Sequence, residues 1–125
     1  DYDKFCENNK KNEKRRALGL FFVNLMIMEA LSVERVINII VTIQKYIIDE
    51  MKNPEMDSII DELSELIYTM MSTIIKNDKD IVRKCEWFEI LDNITMISKL
   101  NSGSFSSITN KSIFKHLDIV DLINK

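Results

Sequence analysis

Apolar side chains recur at a spacing of three and four residues through most of this 125-residue chain. That spacing marks one face of an α-helix, whereas a half-buried strand alternates every second residue. Turns between strands depend heavily on glycine and proline, and the chain has two glycines and one proline. The sequence therefore predicts an all-α fold of about five helices.

Short polar breaks separate the predicted helices. Ser32 is suited to cap the second helix, and Asn53-Pro54 is typical of a helix start. The predicted helices cover residues 14–30, 33–51, 53–77, 79–100 and 108–123, with a Ser/Gly-rich loop, Asn101–Ser107, before the last. Residues 1–13 are interpreted as a linker or the end of a preceding helix, and residues 14–125 as a helical-repeat domain that is a fragment of a longer one.

The apolar positions indicate which face of each helix is buried. The first helix has apolar residues nearly all round, which is typical of a helix between neighbours. Acidic residues on the third helix are expected on its exposed face, where charges are usually only solvated. The two apolar stripes of the first helix are Leu18, Phe21, Phe22, Leu25 and Met28, and Leu20, Val23 and Ile27. The acidic residues of the third helix are Asp57, Asp61, Glu62 and Glu65. The inward residues of the last helix are Ile113, Leu117, Val120 and Ile123.

The arrangement of the helices is less constrained than their number. Leu31-Ser32 is a very short connection, so the first two helices should form an antiparallel hairpin. The odd-numbered helices start near residues 14, 54 and 108. The first interval matches the period of HEAT-type helical pairs, and the second is longer. Periodicity alone fits both a stacked helical solenoid and a closed bundle.

The residues that usually carry catalysis are sparse. His116 is the single histidine, and we expect it to face solvent beside Lys115 and Asp118. No zinc or carboxylate-iron spacing occurs, and two glycines cannot build a phosphate-binding loop. The seven methionines lie mainly at stripe positions, which favours core filling. We therefore predict a protein that is not an enzyme, needs no cofactor and no small-molecule substrate, and binds another macromolecule.

Composition also bears on where the protein acts. Cys6 and Cys85 stand alone, as free thiols do in a reducing compartment. No secretory signal is visible and no apolar run reaches the length of a membrane span, so we predict a cytoplasmic protein without a membrane partner. The formal net charge of −3 does not require a nucleic-acid partner. Twenty isoleucines, 13 lysines and 11 asparagines indicate an A/T-rich coding genome, as in some protists and large DNA viruses.

Two surfaces are candidates for partner binding. The first is the basic cluster at the start of the first predicted helix, where positive charge opposes the helix dipole; it consists of Lys10, Lys11, Lys14, Arg15 and Arg16. The second is the last helix, which has one face without a successor in a stack; its polar residues are Lys111, Lys115, His116, Asp118 and Asp121. We also expect an exposed apolar face at the N-terminal end, which would favour self-association.

Three stretches of the chain resemble a known family. Lys14-Arg-Arg-Ala-Leu-Gly19 precedes Phe21, Leu25 and Leu31-Ser32, Trp87-Phe88 heads a helix with Ile97, and Ser106-Ser107 precedes Phe114-x-x-x-Asp118-Ile119-x-Asp121-Leu122. Together they are similar to the C-terminal half of the middle domain of eukaryotic translation initiation factor 4G. The gap from Gly19 to Phe21 is two residues shorter than in the family, and Ile123 stands where the family usually has arginine.

The resemblance implies a fold, a partner and contact residues. It implies a right-handed stack of HEAT-like helical pairs that docks a DEAD-box RNA helicase of the initiation factor 4A type. Such a scaffold speeds the helicase's ATPase cycle and does no chemistry itself. Asp118 and Asp121, with Lys115 and with Phe105 in the Asn101–Ser107 loop, would contact the helicase. Lys14, Arg15 and Arg16 would contact RNA or the helicase.

An alternative class shares the length, the helix count and the composition. It comprises the Bcl-2-like proteins of large DNA viruses, which would bind an amphipathic peptide in a groove between helices. Topology distinguishes the two classes, because a Bcl-2-like fold encloses one central helix within a ring, whereas a stack places its helices in two layers. The short hairpin at Leu31-Ser32 favours the stack.

Overall fold

Five α-helices build the protein, and the computed structural model describes residues 2–125 apart from the side chains of Tyr2 and Phe5. The helices are α1 (Tyr2–Ile27), α2 (Val33–Glu50), α3 (Asp57–Asn77), α4 (Phe88–Ser98) and α5 (Asn110–Ile123). No strand occurs between residues 2 and 125. The predicted all-α fold of five helices is therefore confirmed.

The helices form two layers. In the first layer, α3 lies between α1 and α5 and contacts both; in the second, α2 contacts α4. The buried amide of Gln44 joins α2 to α4, because its Nε2 donates to the Ile90 carbonyl at 3.1 Å and its Oε1 accepts from Asn93 Nδ2 at 3.1 Å. The helix α3 also contacts α2 across the layers, and none of its residues from Ile59 to Ile75 is exposed. This arrangement is that of stacked helical hairpins.

The first helix is longer at its start and shorter at its end than the sequence indicates. Residues 2–13 continue without a break into the segment that follows, so the described part of this stretch is helical. The helix ends at Ile27 and not at Ala30, because Glu29 adopts a left-handed conformation with φ of 61°. The amides of Ala30 and Leu31 both donate to the Leu25 carbonyl, which closes the helix end.

The second helix begins as predicted and the third does not. Ser32 caps α2, since its hydroxyl accepts from the Arg35 amide at 3.3 Å. Asn53-Pro54 lies in the turn between α2 and α3, and α3 begins at Asp57. The reason is a competing partner: the Met56 amide donates to the Ser107 hydroxyl at 3.0 Å, and the Asn53 carbonyl accepts from that hydroxyl.

The predicted fourth helix is replaced in its first half by two short 3₁₀ turns, Ile81–Arg83 and Cys85–Trp87. An extended residue, Lys84, separates them. Val82 and Trp87 are both buried, yet five positions apart on a straight α-helix they would point about 140° away from each other. The break at Lys84 allows both side chains to enter the core.

The core lies between the two layers, and α1 contributes less to it than its stripe predicts. Val23 and Met26 are buried, whereas Leu18, Phe21 and Met28 are exposed by 52%, 54% and 73%. The stripe that starts at Leu18 is therefore largely an outer face, and the expected apolar surface at this end of the stack is present. Both cysteines are free thiols.

Candidate partner-binding surfaces

The outer face of α5 is a mixed apolar and acidic surface at one end of the first layer. Phe114 is 57% exposed and Leu117 37% exposed, and Asp118 and Asp121 are also exposed. These four residues lie within about 100° around the helix axis, because they are three, four and seven positions apart. We call them the α5 face. Two carboxylates beside two apolar side chains suit a partner with basic and apolar groups.

Leu117 belongs to this face, although the sequence predicts it inward. The inward positions of α5 are instead held by Ser112, Ile113, His116 and Ile119. Counting only strongly apolar residues misplaces the stripe, because two of the four buried side chains are polar. A helical wheel that allowed Ser112 and His116 in the core would have placed Leu117 outside.

A polar network fixes how α5 sits on α3. The Asp61 carboxylate accepts from the Thr109 hydroxyl at 2.5 Å and from the Ser112 hydroxyl at 2.6 Å. Thr109 also caps α5, since its hydroxyl accepts from the Ser112 amide at 3.2 Å. Hydrogen bonds to a charged group are stronger than neutral ones. The start of α5 is therefore bound to α3 in one register, which determines where the α5 face points.

Lys115 belongs to the same junction. Its Nζ lies 3.1 Å from Glu65 Oε2 and 4.7 Å from the centre of the Tyr68 ring. The side chain is half-buried between α5 and α3. Lys115 therefore orients α5, and it lies about 60° around the helix from Asp118, at the edge of the α5 face.

His116 is buried, and the prediction that it faces solvent is wrong. Its Nδ1 donates to the Ser112 carbonyl at 2.9 Å, while Nε2 has no hydrogen-bond partner among the described residues. Burial lowers the pKa of His116 below its ordinary value of 6.5, against the opposing effect of the bond to Ser112. The ring is therefore neutral at pH 7, and its packing in the core explains its presence.

The charge pattern predicts that the four acidic residues of α3 are only solvated. This prediction is wrong for three of them. Asp61 and Glu65 bind α5, and Glu62 binds Arg16 of α1. Asp57 alone of the four is exposed, and the other three are half-buried. Because α3 lies between two helices of its layer, carboxylates along its edge meet donors on both sides. The pattern identified the acidic face but could not show that neighbours reach it.

Of the three basic residues Lys14, Arg15 and Arg16, one makes an ion pair within the described residues and two do not. Arg16 Nη2 lies 2.8 and 2.9 Å from the two carboxylate oxygens of Glu62, and this contact raises the pKa of the guanidinium. Lys14 and Arg15 are exposed, and neither makes an ion pair within the described residues. Only Lys14 and Arg15 of the trio are therefore available to a partner.

The Asn101–Ser107 loop is held firmly at its C-terminal end. Phe105 is half-buried and packs against the core, so most of its ring serves the fold. Ser107 is buried, and its amide donates to the Met51 carbonyl at 2.9 Å. The loop is thereby tied to the α2–α3 turn, while Asn101, Ser102, Gly103 and Ser104 remain exposed.

Residues 2–125 contain neither a side-chain cluster suited to a metal ion nor a helix suited to a membrane. No three or more histidine, cysteine, aspartate or glutamate side chains there are placed to hold a metal ion. No helix in that range has the length and apolar character needed to cross a membrane. Comparisons with protein-family models, curated proteins and solved structures give no match. The surfaces described above and the motifs in the sequence are therefore what indicates a function.

Proposed function

We propose that this chain is a non-catalytic scaffold of translation initiation that docks a DEAD-box RNA helicase of the initiation factor 4A type and promotes its ATPase cycle. The observation that carries the proposal is the α5 face. Its Phe114, Asp118 and Asp121 are three residues of the motif that resembles the middle domain of initiation factor 4G, and all three are exposed together.

The stacked architecture supports the same function. Each helical pair contacts its neighbours, so a stack offers rigid ends and edges for binding. The network of Asp61, Thr109 and Ser112 holds α5 in place, so the α5 face needs little reordering when a partner binds. Such preorganisation lowers the entropic cost of association. A scaffold that holds two lobes of a helicase needs a surface with this property.

The proposed contacts are apolar and acidic at α5 and basic at α1. At α5 we assign the helicase contact to Asp118 and Asp121, with Phe114 and Leu117 as apolar anchors and the exposed part of the Asn101–Ser107 loop at the rim. Lys115 and Phe105 support this surface from beneath. At α1 we assign an RNA or helicase contact to Lys14 and Arg15, and Arg16 holds α1 on α3. Translation would place the protein in the cytoplasm.

The test is titration of the chain into an initiation factor 4A-type helicase, with binding and ATPase rate measured together. The paired substitution Asp118→Lys and Asp121→Lys should weaken binding by tenfold or more, because the acidic half of the α5 face is reversed. Its helical circular dichroism should stay unchanged, since both residues are exposed. The matched control is Glu86→Lys with Asp92→Lys, a reversal of two exposed carboxylates outside α5.

Each result of the titration has a different consequence for the proposed function. Tight binding with faster ATP turnover that is lost in the α5 variant and kept in the control supports the proposal. Binding without stimulation limits the function to docking one lobe. Affinity that is equal in all three proteins removes Asp118 and Asp121 from the interface, and absence of any binding by the wild-type chain contradicts the proposed function.

A further inference from the structure

A second surface lies far from α5, where α1 and α2 diverge from their short connection. The gap between these helices reaches down to the side of α3 and forms an apolar groove, which we call the α1–α2 groove. It contains two adjoining depressions of about 120 and 300 Å³. Their apolar lining includes Leu18, Phe22, Ile43, Tyr46, Leu63 and Leu66. No residue of α5 takes part, so this surface is separate from the α5 face.

Among the described residues, Arg15 is the one charged residue that lines these depressions, and it lines both. The only hydrogen bond of its guanidinium among the described residues is to Asn12 Oδ1 at 3.1 Å. The next residue, Arg16, is already paired with Glu62. An exposed guanidinium at the junction of two apolar depressions is complementary to a carboxylate, with which arginine forms bidentate hydrogen bonds.

The scarcity of polar groups determines the backbone conformation of the occupant. Apart from Arg15, the two depressions offer the hydroxyls of Thr42 and Tyr46, and the Thr42 hydroxyl already donates to the Asn38 carbonyl at 2.7 Å. An extended segment would bury backbone N–H and C=O groups without partners, which is costly. An α-helix satisfies these groups internally, so a helix is the backbone that the groove accepts.

The open shape of the groove determines the chemistry of that helix. It is bounded by α1, α2 and α3 and leaves the outer side of any occupant in water. A fatty acid would match the arginine and the apolar lining, but one side of its chain would stay wet. An amphipathic helix presents an apolar stripe to the groove and polar residues to solvent.

We propose that the α1–α2 groove binds an amphipathic α-helix of a partner protein, with an apolar side chain in each depression and a carboxylate on Arg15. This binding goes beyond the proposed helicase docking at α5, because it uses α2, the side of α3 and another partner. Arg15 then binds the carboxylate, and the RNA or helicase contact at α1 is left to Lys14. The proposal stands or falls independently of the α5 face.

The experiment is a selection from a displayed library of helical peptides of about 16 residues, long enough for four turns. Apolar residues are fixed at i, i+3, i+4 and i+7, and the flanking positions vary among acidic, basic and neutral residues. The enriched peptides are synthesised, and their affinity for the chain is measured by fluorescence anisotropy. The same measurement is made with Arg15→Glu, with Thr42→Trp, which fills the larger depression from an exposed position, and with the matched control Arg35→Glu.

The expected result is enrichment of peptides with one conserved acidic position and micromolar affinity. Arg15→Glu should weaken binding at least tenfold, and replacing the acidic peptide residue by lysine should restore binding to that variant. Thr42→Trp should also weaken binding, whereas Arg35→Glu should not. Thermal unfolding by circular dichroism verifies that each variant folds, as expected for substitutions at exposed residues.

Three results would overturn the proposal. One is a selection that enriches no acidic position. Another is peptide binding that is insensitive to both Arg15→Glu and Thr42→Trp, because the peptides then bind elsewhere. The third is binding of decanoate that depends on Arg15 while no peptide binds, which assigns the groove to a lipid.

Discussion

The two outer helices of the first layer, α1 and α5, both pack against α3 but are held by different means. At α5, directed hydrogen bonds to Asp61 and the ion pair between Lys115 and Glu65 set the register. At α1, one ion pair, Arg16 with Glu62, accompanies a close approach at Gly19. A Cβ at Gly19 would lie 2.8 Å from Leu66 Cδ1. One junction thus depends on hydrogen bonding and the other on shape.

The largest effect is expected from overfilling the α1 junction. Gly19→Leu adds a side chain where even a Cβ is too close to Leu66 and Met70, so these two side chains or α1 itself must shift. We expect a loss of about 3 kcal/mol in the free energy of unfolding, at the upper end of overpacking costs. Urea denaturation measures it. Gly103→Leu is the matched control, because no atom lies within 4 Å of a Cβ there, and an equal loss in both would contradict a steric junction.

A smaller loss is expected when the α5 junction loses its acceptor. Asp61→Ala leaves the hydroxyls of Thr109 and Ser112 without the carboxylate they share. Hydrogen bonds to a charged group contribute about 1.5–3 kcal/mol, so we expect a loss of about 2 kcal/mol in urea denaturation. Asp92→Ala, at an exposed carboxylate of α4, should cost well under 1 kcal/mol. Equal stability of the two variants would show that the network does not hold α5.

The smallest effect is expected from protonation of His116, because the bond to the Ser112 carbonyl partly offsets the burial of its ring. The folded state holds the histidine with a pKa below 6.5, so the unfolded state binds more protons as the pH falls through 6.5. The contribution of neutral His116 to the free energy of unfolding should therefore be fully present above pH 6.5 and be lost as the pH falls below it. Thermal unfolding between pH 7.5 and 5 measures this decline. It should be shallower in His116→Leu, and an identical slope in both proteins would exclude His116 as its cause.

Some features of the fold can be predicted from the sequence alone, and others cannot. Period and polar breaks predict five helices, the Ser32 cap and the burial of Val23 and Ile113. They do not predict that Asn53-Pro54 stays in a turn, because Ser107, more than 50 positions away, provides the competing hydrogen bonds. Helix boundaries that depend on distant partners leave no local pattern.

The surfaces were predictable in a similar, partial way. Asp118 and Asp121 were identified from a motif and are exposed, as a contact requires. The same helix misled at Leu117 and His116, because α5 buries two polar residues. Ser112 binds Asp61 of α3, and His116 donates to the Ser112 carbonyl of α5 itself. The α1–α2 groove was beyond reach, since it depends on the angle at which two helices diverge. Side-chain periodicity carries no information about that angle.

The binding of Ser107 to the α2–α3 turn has a consequence for how the chain acquires its structure. The turn at Asn53 and Met56 obtains its partner from a residue synthesised more than 50 positions later. A growing chain can form the α1–α2 hairpin early, but the path into α3 lacks these hydrogen bonds until Ser107 arrives. Closing so long a loop delays folding. The last quarter of the chain therefore completes a turn in its first half, and truncation before Ser107 would leave the first layer without α5 and the turn without these hydrogen bonds.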